Sequence, residues 1–372
     1  MSRRALSDNL DRVVVDSVDE AAADDGRFSA SIMQRAIDLS AQYQPHPNPR
    51  VGAVVVADGV IVGEGAHVRA GEAHAELVAL DAAGEEARGA TVYVTLEPCS
   101  HHGRTHPCSE ALIAAGVGRV VVGAIDPDPR VSGTGAAALR SAGIEVATGV
   151  LANEVEAIDP GYFHHRRTGR PLVTLKLGTT LDGMIAAADR TSKWITGEEA
   201  RRDGHRLRSE ADVVIVGAGT VIDDDPKLDV RLDGYTGSQP RPVLIAGSRS
   251  LDPDAALFER NPLVYTAAER EANTEQVVLG GSGLVDMEQV LNDLGKRGYV
   301  SALVEGGATL ASSLVRNGLV DRVVFYLAAK LAVGQGLGAF GGEFATINDA
   351  VPLHIEDVSL VGGDVRVVAR MD

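Results

Sequence analysis

Thr91-Val92-Tyr93-Val94-Thr95-Leu96-Glu97-Pro98-Cys99 decides how the first half of this chain is read. The run Thr91 to Leu96, rich in β-branched and aromatic residues, predicts a strand. Pro98 ends it, because proline brings no amide to a ladder. Cys99 therefore stands just past a strand end. Eight residues separate it from Cys108, which opens a helical stretch, Ser109 to Ala115. Upstream, His74-Ala75-Glu76 falls near the start of a helix expected from Glu72 to Gly84, with Leu77, Val78 and Leu80 on its buried side. Residues i and i+2 diverge on a regular helix. His74 and Glu76 can thus address one point only if it lies off the helix N-terminus, the end that favours thiolate and hydroxide. All the pieces fall at element ends, where side chains can converge.

The chain has only two cysteines. Together with His74 they make three zinc ligands, and a tetrahedral ion then keeps a fourth position open for water. Glu76 is free to move that water's proton. His-x-Glu followed by Pro-Cys-x-x-Cys is the signature of zinc nucleobase deaminases; here the spacing between the cysteines is wider. Two bland readings stand beside this one. The cysteines can be reduced, buried hydrophobes, or the zinc can be structural and closed by His101, His102 or His106. A purely structural site has no use for Glu76.

With 372 residues the chain suggests two domains or three, and 45% apolar content supplies their cores. A net charge of −17 argues against nucleic-acid binding. No run of 18 apolar residues offers a membrane span, and the polar, acidic start does not resemble a signal peptide. Two cysteines and no export signal point to a reducing cytoplasm.

Residues 1–27 are acidic and read as a flexible extension. Ser29 or Ser31 is expected to cap a helix running through Ala36, Ile37 and Leu39. Asp58-Gly59, between Val51–Val56 and Val60–Gly63, is a hairpin signal. Strands are expected at Val120–Ala124 and Ile144–Val150, with a helix near Gly135–Ala142. Strands alternating with helices imply a three-layer α/β domain over 28–165. The polar, basic segment Ala157 to Pro171 is the expected domain boundary. Beyond it the pattern restarts over 170–372. Strands are expected at Leu172–Leu177, Asp212–Val216, Pro242–Ala246, Leu263–Thr266, Val300–Val304, Asp321–Leu327 and Val365–Ala369. Thr196-Gly197-Glu198-Glu199 reads as a capping box opening a helix to Glu210. Further helices are expected at Asp286–Lys296 and Thr309–Asn317.

In this second half a strand, a Gly-rich turn and a helix follow one another twice, at Gly217–Thr220 and Gly306–Thr309. Such turns can bring backbone amides to a phosphate, or can be ordinary turns. Neither is a full G-x-G-x-x-G, so a Rossmann fingerprint is absent.

Asn48-Pro49-Arg50-Val51-Gly52, His67, His74-Ala75-Glu76 and the whole segment Thr95 to Cys108 resemble the bifunctional riboflavin-biosynthesis deaminase-reductases, as does Tyr162 to Pro171. His106 stands where proline is common there, and Asp159 where asparagine is. The resemblance continues through Lys176, Thr180-Leu181-Asp182-Gly183, Ser192 to Thr196, Arg208, Gly219-Thr220-Val221, Asp224-Asp225-Pro226, Arg231 and Val304 to Leu310. It implies a cytidine-deaminase-like domain followed by a dihydrofolate-reductase-like α/β domain that uses NADPH.

By this resemblance His74, Cys99 and Cys108 hold Zn²⁺ and Glu76 is catalytic. Asn48, His67, Arg104 and Thr105 would position a small phosphorylated pyrimidine, 2,5-diamino-6-ribosylamino-4(3H)-pyrimidinone 5′-phosphate. In the reductase Lys176, Ser192, Arg208, Arg231 and Glu305 would hold the ribose phosphate. Gly178, Trp194, Thr220, Asp224, Gly307, Ala308 and Thr309 would contact NADPH. Asp224 and Lys176 are the candidates for the proton that accompanies hydride. Related enzymes form homo-oligomers. Two rivals predict differently: a non-enzymatic zinc-stabilised binding protein, and a deaminase of RNA bases with an accessory C-terminal half.

Overall fold

The computed structural model describes residues 23–101, 106–268, 274–279 and 284–371. The chain divides into two compact units, one ending at Arg167 and the other beginning at Thr168.

The first unit runs α1 (Ala23–Ser40), β1 (Gly52–Ala57), β2 (Val60–Ala66), α2 (Ala75–Ala83), β3 (Thr91–Leu96), α3 (Cys108–Ala115), β4 (Arg119–Ala124), α4 (Thr134–Ser141), β5 (Glu145–Thr148), α5 (Ala152–Ile158) and α6 (Pro160–Thr168). Its sheet has the order β2-β1-β3-β4-β5. The β1–β2 and β1–β3 pairs are antiparallel, and the β3–β4 and β4–β5 pairs parallel. Asp58 and Gly59, both at positive φ, make the hairpin turn.

Glycines set the two covering layers. A Cβ at Gly52 would lie 2.0 Å from Ala36 O on α1, so α1 sits on that face. Ala53, on the opposite face, pairs with Gly65, where a Cβ would lie 2.3 Å from Ala75 O on α2. A Cβ at Gly63 would meet Ala79 O at 2.2 Å. Helix α2 therefore rests directly on β2 through Ala75, Ala79 and Ala83, which are buried. This corrects the expected face: Val78 is exposed, and Leu77 and Leu80 are half-buried at the flanks. Contact this close admits only alanine on the helix and glycine beneath it.

Helix α1 begins at Ala23, inside the stretch read as an extension, so neither serine caps it. Ser29 instead meets the Tyr93 hydroxyl at 3.2 Å, and Ser31 donates back to Phe28 O. Helix α6 takes most of the expected boundary segment. Its Tyr162 and Phe163 are buried in the core, with Arg166 and Arg167 stacked over their rings.

The second unit contains β6 (Leu172–Thr180), β7 (Met184–Ala187), α7 (Glu198–Glu210), β8 (Val213–Gly217), α8 (Ala218–Asp224), β9 (Arg241–Gly247), β10 (Leu263–Thr266), β11 (Gln276–Val278), α9 (Met287–Lys296), β12 (Ser301–Val304), α10 (Ala308–Arg316), β13 (Arg322–Ala328), β14 (Gly336–Gly338), β15 (Leu353–Val361) and β16 (Asp364–Met371). A nine-stranded sheet has the order β11-β10-β9-β8-β12-β6-β13-β16-β15 and is parallel as far as β13. β16 and β15 close it antiparallel. Along β8, Val213 and Ile215 enter one core while Val214 and Val216 enter another, so both sheet faces are covered.

Helix α7 starts one residue later than the capping box required. Gly197 is the cap residue, and its amide donates to Asp364 at 2.6 Å. No helix among the described residues is long and apolar enough to cross a membrane.

Candidate active sites

β3 and β4 are parallel neighbours, and their C-terminal ends open onto a cavity of about 720 Å³. Such strand ends are where α/β sheets bind ligands. Cys99 follows β3, His74 is the N-cap residue of α2, and Cys108 is the first residue of α3. Their ligand atoms all lie within 4.8 Å of one another. His74 Nδ1 is 3.2 Å from Cys108 Sγ and 3.7 Å from Cys99 Sγ. A tetrahedral zinc with ordinary bond lengths sets N and S roughly 3.5 Å apart, so the three residues fit the ion. The thiols divide one proton. The Cys99 thiol is pushed down to about 4, chiefly by the hydrogen bond from Cys108, and the same bond pushes Cys108 up. His101 and His106 are exposed and stand outside the cluster, so no fourth ligand joins it among the described residues.

Glu76 lies in the first turn of α2 and is buried. Desolvation pushes its carboxyl up. His67 is buried too, and burial pushes it down toward the neutral ring. That ring suits its partners: Nδ1–H donates to Ala73 O and Nε2 accepts from Asn48 Nδ2, each at 3.0 Å. The tautomer follows from the partners. Asn48 is thereby oriented on the cavity wall with its carbonyl oxygen to spare. Arg104 and Thr105 lie outside the described residues.

Glu97 holds the motif from behind. Its carboxylate accepts from the amides of Gly133, Ala136 and Asp126, which ties Pro98-Cys99 to the start of α4. Asp159, the departure from asparagine, accepts from the amides of Arg50 and Tyr162 and lies 3.1 Å from His46 Nε2. Sequence reasoning missed Asp126, Asp128, Arg130 and Arg166, which also line the cavity. The Tyr162 hydroxyl donates to buried Asp126, and Arg130 grips Asp128. The available signal was Asp126-Pro127-Asp128-Pro129, directly after a parallel strand.

In the second unit, β8 and β12 are parallel neighbours, each ending in one of the Gly-rich turns. A Cβ at Gly217 would meet nothing within 4 Å, and one at Gly307 only Thr220 Oγ1 at 3.9 Å. Ala308 opens α10. Open backbone beside two helix starts forms a cradle that fits a dinucleotide phosphate. Ser192 Oγ donates to Asp224 at 3.3 Å. Trp194 is 63% exposed, with the Arg201 guanidinium 4.4 Å from its ring centre. Gly178 packs against Thr196, and Thr309 is exposed.

Glu305 follows β12. Burial alone would raise its carboxyl, but Arg208 and then Lys176 outweigh that and hold it down to about 2. Arg208 grips it with Nε and Nη2, at 2.5 and 3.1 Å, and spends Nη1 on Asp229 O at 2.9 Å. Three of its five N–H groups are engaged in this way, so Arg208 fixes Glu305 and keeps two N–H groups beyond these bonds. Lys176 Nζ stands 3.8 Å from the same carboxylate. Arg231 is 65% exposed and free of such a clamp.

The cytidine and deoxycytidylate deaminase zinc-binding region matches residues 27–124, and the RibD C-terminal domain matches 171–367. Riboflavin biosynthesis protein RibD of Escherichia coli is 41% identical over 355 residues, covering 90% of this chain and 96% of that protein. Acinetobacter baumannii RibD superposes with a TM-score of 0.88 at 36% identity, over 94% of this chain and 100% of its own. The Thermotoga maritima diaminohydroxyphosphoribosylaminopyrimidine deaminase/5-amino-6-(5-phosphoribosylamino)uracil reductase does so with 0.84 at 36%, with the same coverage. The second half is therefore a reductase domain in its own right, which removes the accessory-domain reading. Zinc and NADPH are the cofactors of these two domains. The chain belongs to the bifunctional riboflavin-biosynthesis deaminase-reductases.

Proposed function

We propose that the first unit deaminates the diamino-ribosylamino-pyrimidinone 5′-phosphate and that the second reduces the product's ribosyl group to ribityl. The observation that carries this is the His74, Cys99 and Cys108 cluster beside buried Glu76, on a chain whose other half is the reductase. Bound zinc supplies Lewis-acid activation of water at neutral pH. Glu76 takes a proton from the attacking water and passes it to the ring nitrogen, then carries the second to the departing amine, so the C(NH2)=N unit and water give C(=O)–NH and ammonia. Asn48, oriented by His67, holds the pyrimidine edge, and the family resemblance adds Arg104 and Thr105 as substrate contacts. In the reductase NADPH supplies hydride to C1′. Lys176, held by Glu305, delivers the accompanying proton, and Ser192 and Arg231 hold the substrate. Trp194, Thr220, Asp224 and the Gly307 turn hold the cofactor.

The reading extends to a homo-oligomer in a reducing cytoplasm. Strand β15 supports the assembly. It is an edge strand whose Leu353, Ile355, Val358 and Leu360 are 43–76% exposed. A bulge between Ile355 and Asp357 keeps all four on one face, opposite Met371, Ala369, Val367 and Val365. A second copy of the chain is the natural cover for such a stripe.

The test follows ammonia release and NADPH oxidation together on the diaminopyrimidinone ribosyl phosphate. Wild type should give both signals, and Glu76→Ala neither, while Glu76→Ala still oxidises NADPH when given the deaminated compound. Absence of both signals from zinc-loaded wild type overturns the substrate assignment.

A further inference from the structure

His205 lies on α7, one turn before Arg208, and no step above uses it. Its Nδ1 is 3.2 Å from Asp229 O, and its Nε2 is 3.4 Å from Arg231 Nη2. One protonation state satisfies these two contacts together. The neutral ring with its proton on Nδ1 donates to the carbonyl, and its Nε2 lone pair accepts from the guanidinium. The other neutral tautomer sets N–H against N–H at Arg231 and a lone pair against the carbonyl. The imidazolium repeats the first clash and adds a third cation beside Arg208 and Arg231. Burial, then Arg208 and Arg231, push His205 below its usual range. The Arg231 amide also donates toward Nδ1 at 3.3 Å, which alone would favour the other tautomer; the contacts to Asp229 O and Arg231 Nη2 outnumber it.

Arg231 needs such a partner. Its side chain is 65% exposed, and its ion pair to Asp229 is long at 3.6 Å. A long exposed arginine must lose rotamer freedom before it grips an anion. An imidazole acceptor aims the guanidinium without cancelling its charge, as a carboxylate in that place would. Arg208 is already aimed by Glu305 and Asp229 O, whereas Arg231 has no carboxylate grip of that kind.

We propose that His205 is a positioning residue whose Nε2 holds the Arg231 guanidinium ready for the phosphate monoester of the reductase substrate. This rests on the reading that Arg231 binds that phosphate, and the test separates the two.

The full-length enzyme is assayed for NADPH oxidation with the deaminated ribosylaminouracil, phosphorylated and dephosphorylated. Arg231→Ala should raise KM for the phosphorylated compound alone. If it leaves that KM unchanged, the phosphate reading of Arg231 fails and takes this inference with it. Given that effect, His205→Ala should raise the same KM by about three- to tenfold, the penalty for ordering one long side chain. Both kcat and KM for the dephosphorylated compound should hold. His205→Gln, which keeps an acceptor oxygen, should recover most of the loss. In the double variant His205→Ala should add nothing to Arg231→Ala. Equal losses on both compounds, a fall in kcat, no rescue by glutamine, or additivity with Arg231→Ala overturns the inference. If His205→Ala does not fold, His205→Asn, too short to reach Arg231, takes its place in the same comparison.

Discussion

Glu76 is buried and Glu305 nearly so, and their surroundings drive the two carboxyls in opposite directions. Glu76 is pushed up by desolvation, as suits a group that must take and release a proton. Glu76→Gln should keep zinc in stoichiometric analysis and lose ammonia release by about 10²–10⁴-fold, the usual share of general acid–base catalysis. Glu305 is held down by Arg208 and Lys176 and stays charged. Glu305→Gln leaves Arg208 buried without its counter-charge, and urea unfolding should show a loss of about 3–5 kcal/mol at neutral pH. The pH dependence has a definite sign. A depressed carboxyl binds fewer protons folded than unfolded, so its stability contribution is present above the unfolded value of 4.5 and is lost as pH falls toward about 2. The gap between wild type and Glu305→Gln should therefore close across that window. At this scale the His74, Cys99 and Cys108 cluster was legible, because two cysteines and a His-x-Glu leave few alternatives. The grip of Arg208 on Glu305 was not: a sequence gives a side chain its charge but not its partner.

At the scale of elements, most of the longer strands were legible to within a few residues, while β7, β11, β14 and β15 were missed. Thr91–Leu96 and Leu263–Thr266 are observed as expected, because their β-branched runs have sharp ends. Helix faces were less legible. In Ala75-Glu76-Leu77-Val78-Ala79, the large residues look like the core, yet the alanines are buried because β2 presents glycines. Gly65→Val tests this contact. Its Cβ would press on Ala75 O at 2.3 Å and displace the start of α2, which carries His74 and Glu76. Overpacking of this kind costs about 1–3 kcal/mol, so Tm should fall and zinc should pass more readily to a competing chelator. An unchanged Tm would mean that α2 does not sit on β2 this closely. The boundary helix α6 escaped notice for a similar reason: its two aromatics are hidden among four basic or histidine neighbours.

At the scale of the whole molecule the parallel and antiparallel runs of both sheets follow from strand order, but β15 was missed. Its exposed stripe gives the test of assembly. Ile355→Lys with Val358→Lys should shift the sedimenting species to the monomer at micromolar concentration, and persistence of the wild-type mass would remove this face as the interface. β15 was missed because its apolar positions change parity, odd at 353 and 355 and even at 358 and 360, so a period of two never emerges. The bulge absorbs that change, which makes residue 356 a surplus unit in the strand. Excising the one codon for Glu356 should yield an unbulged strand with the same four side chains aligned, at the cost of a surface ion pair to Arg322. Excising the codon for Ser359 should turn Leu360 to the opposite side. Single-residue deletions along this strand are therefore unequal, and insertion–deletion tolerance reads out its folding phase.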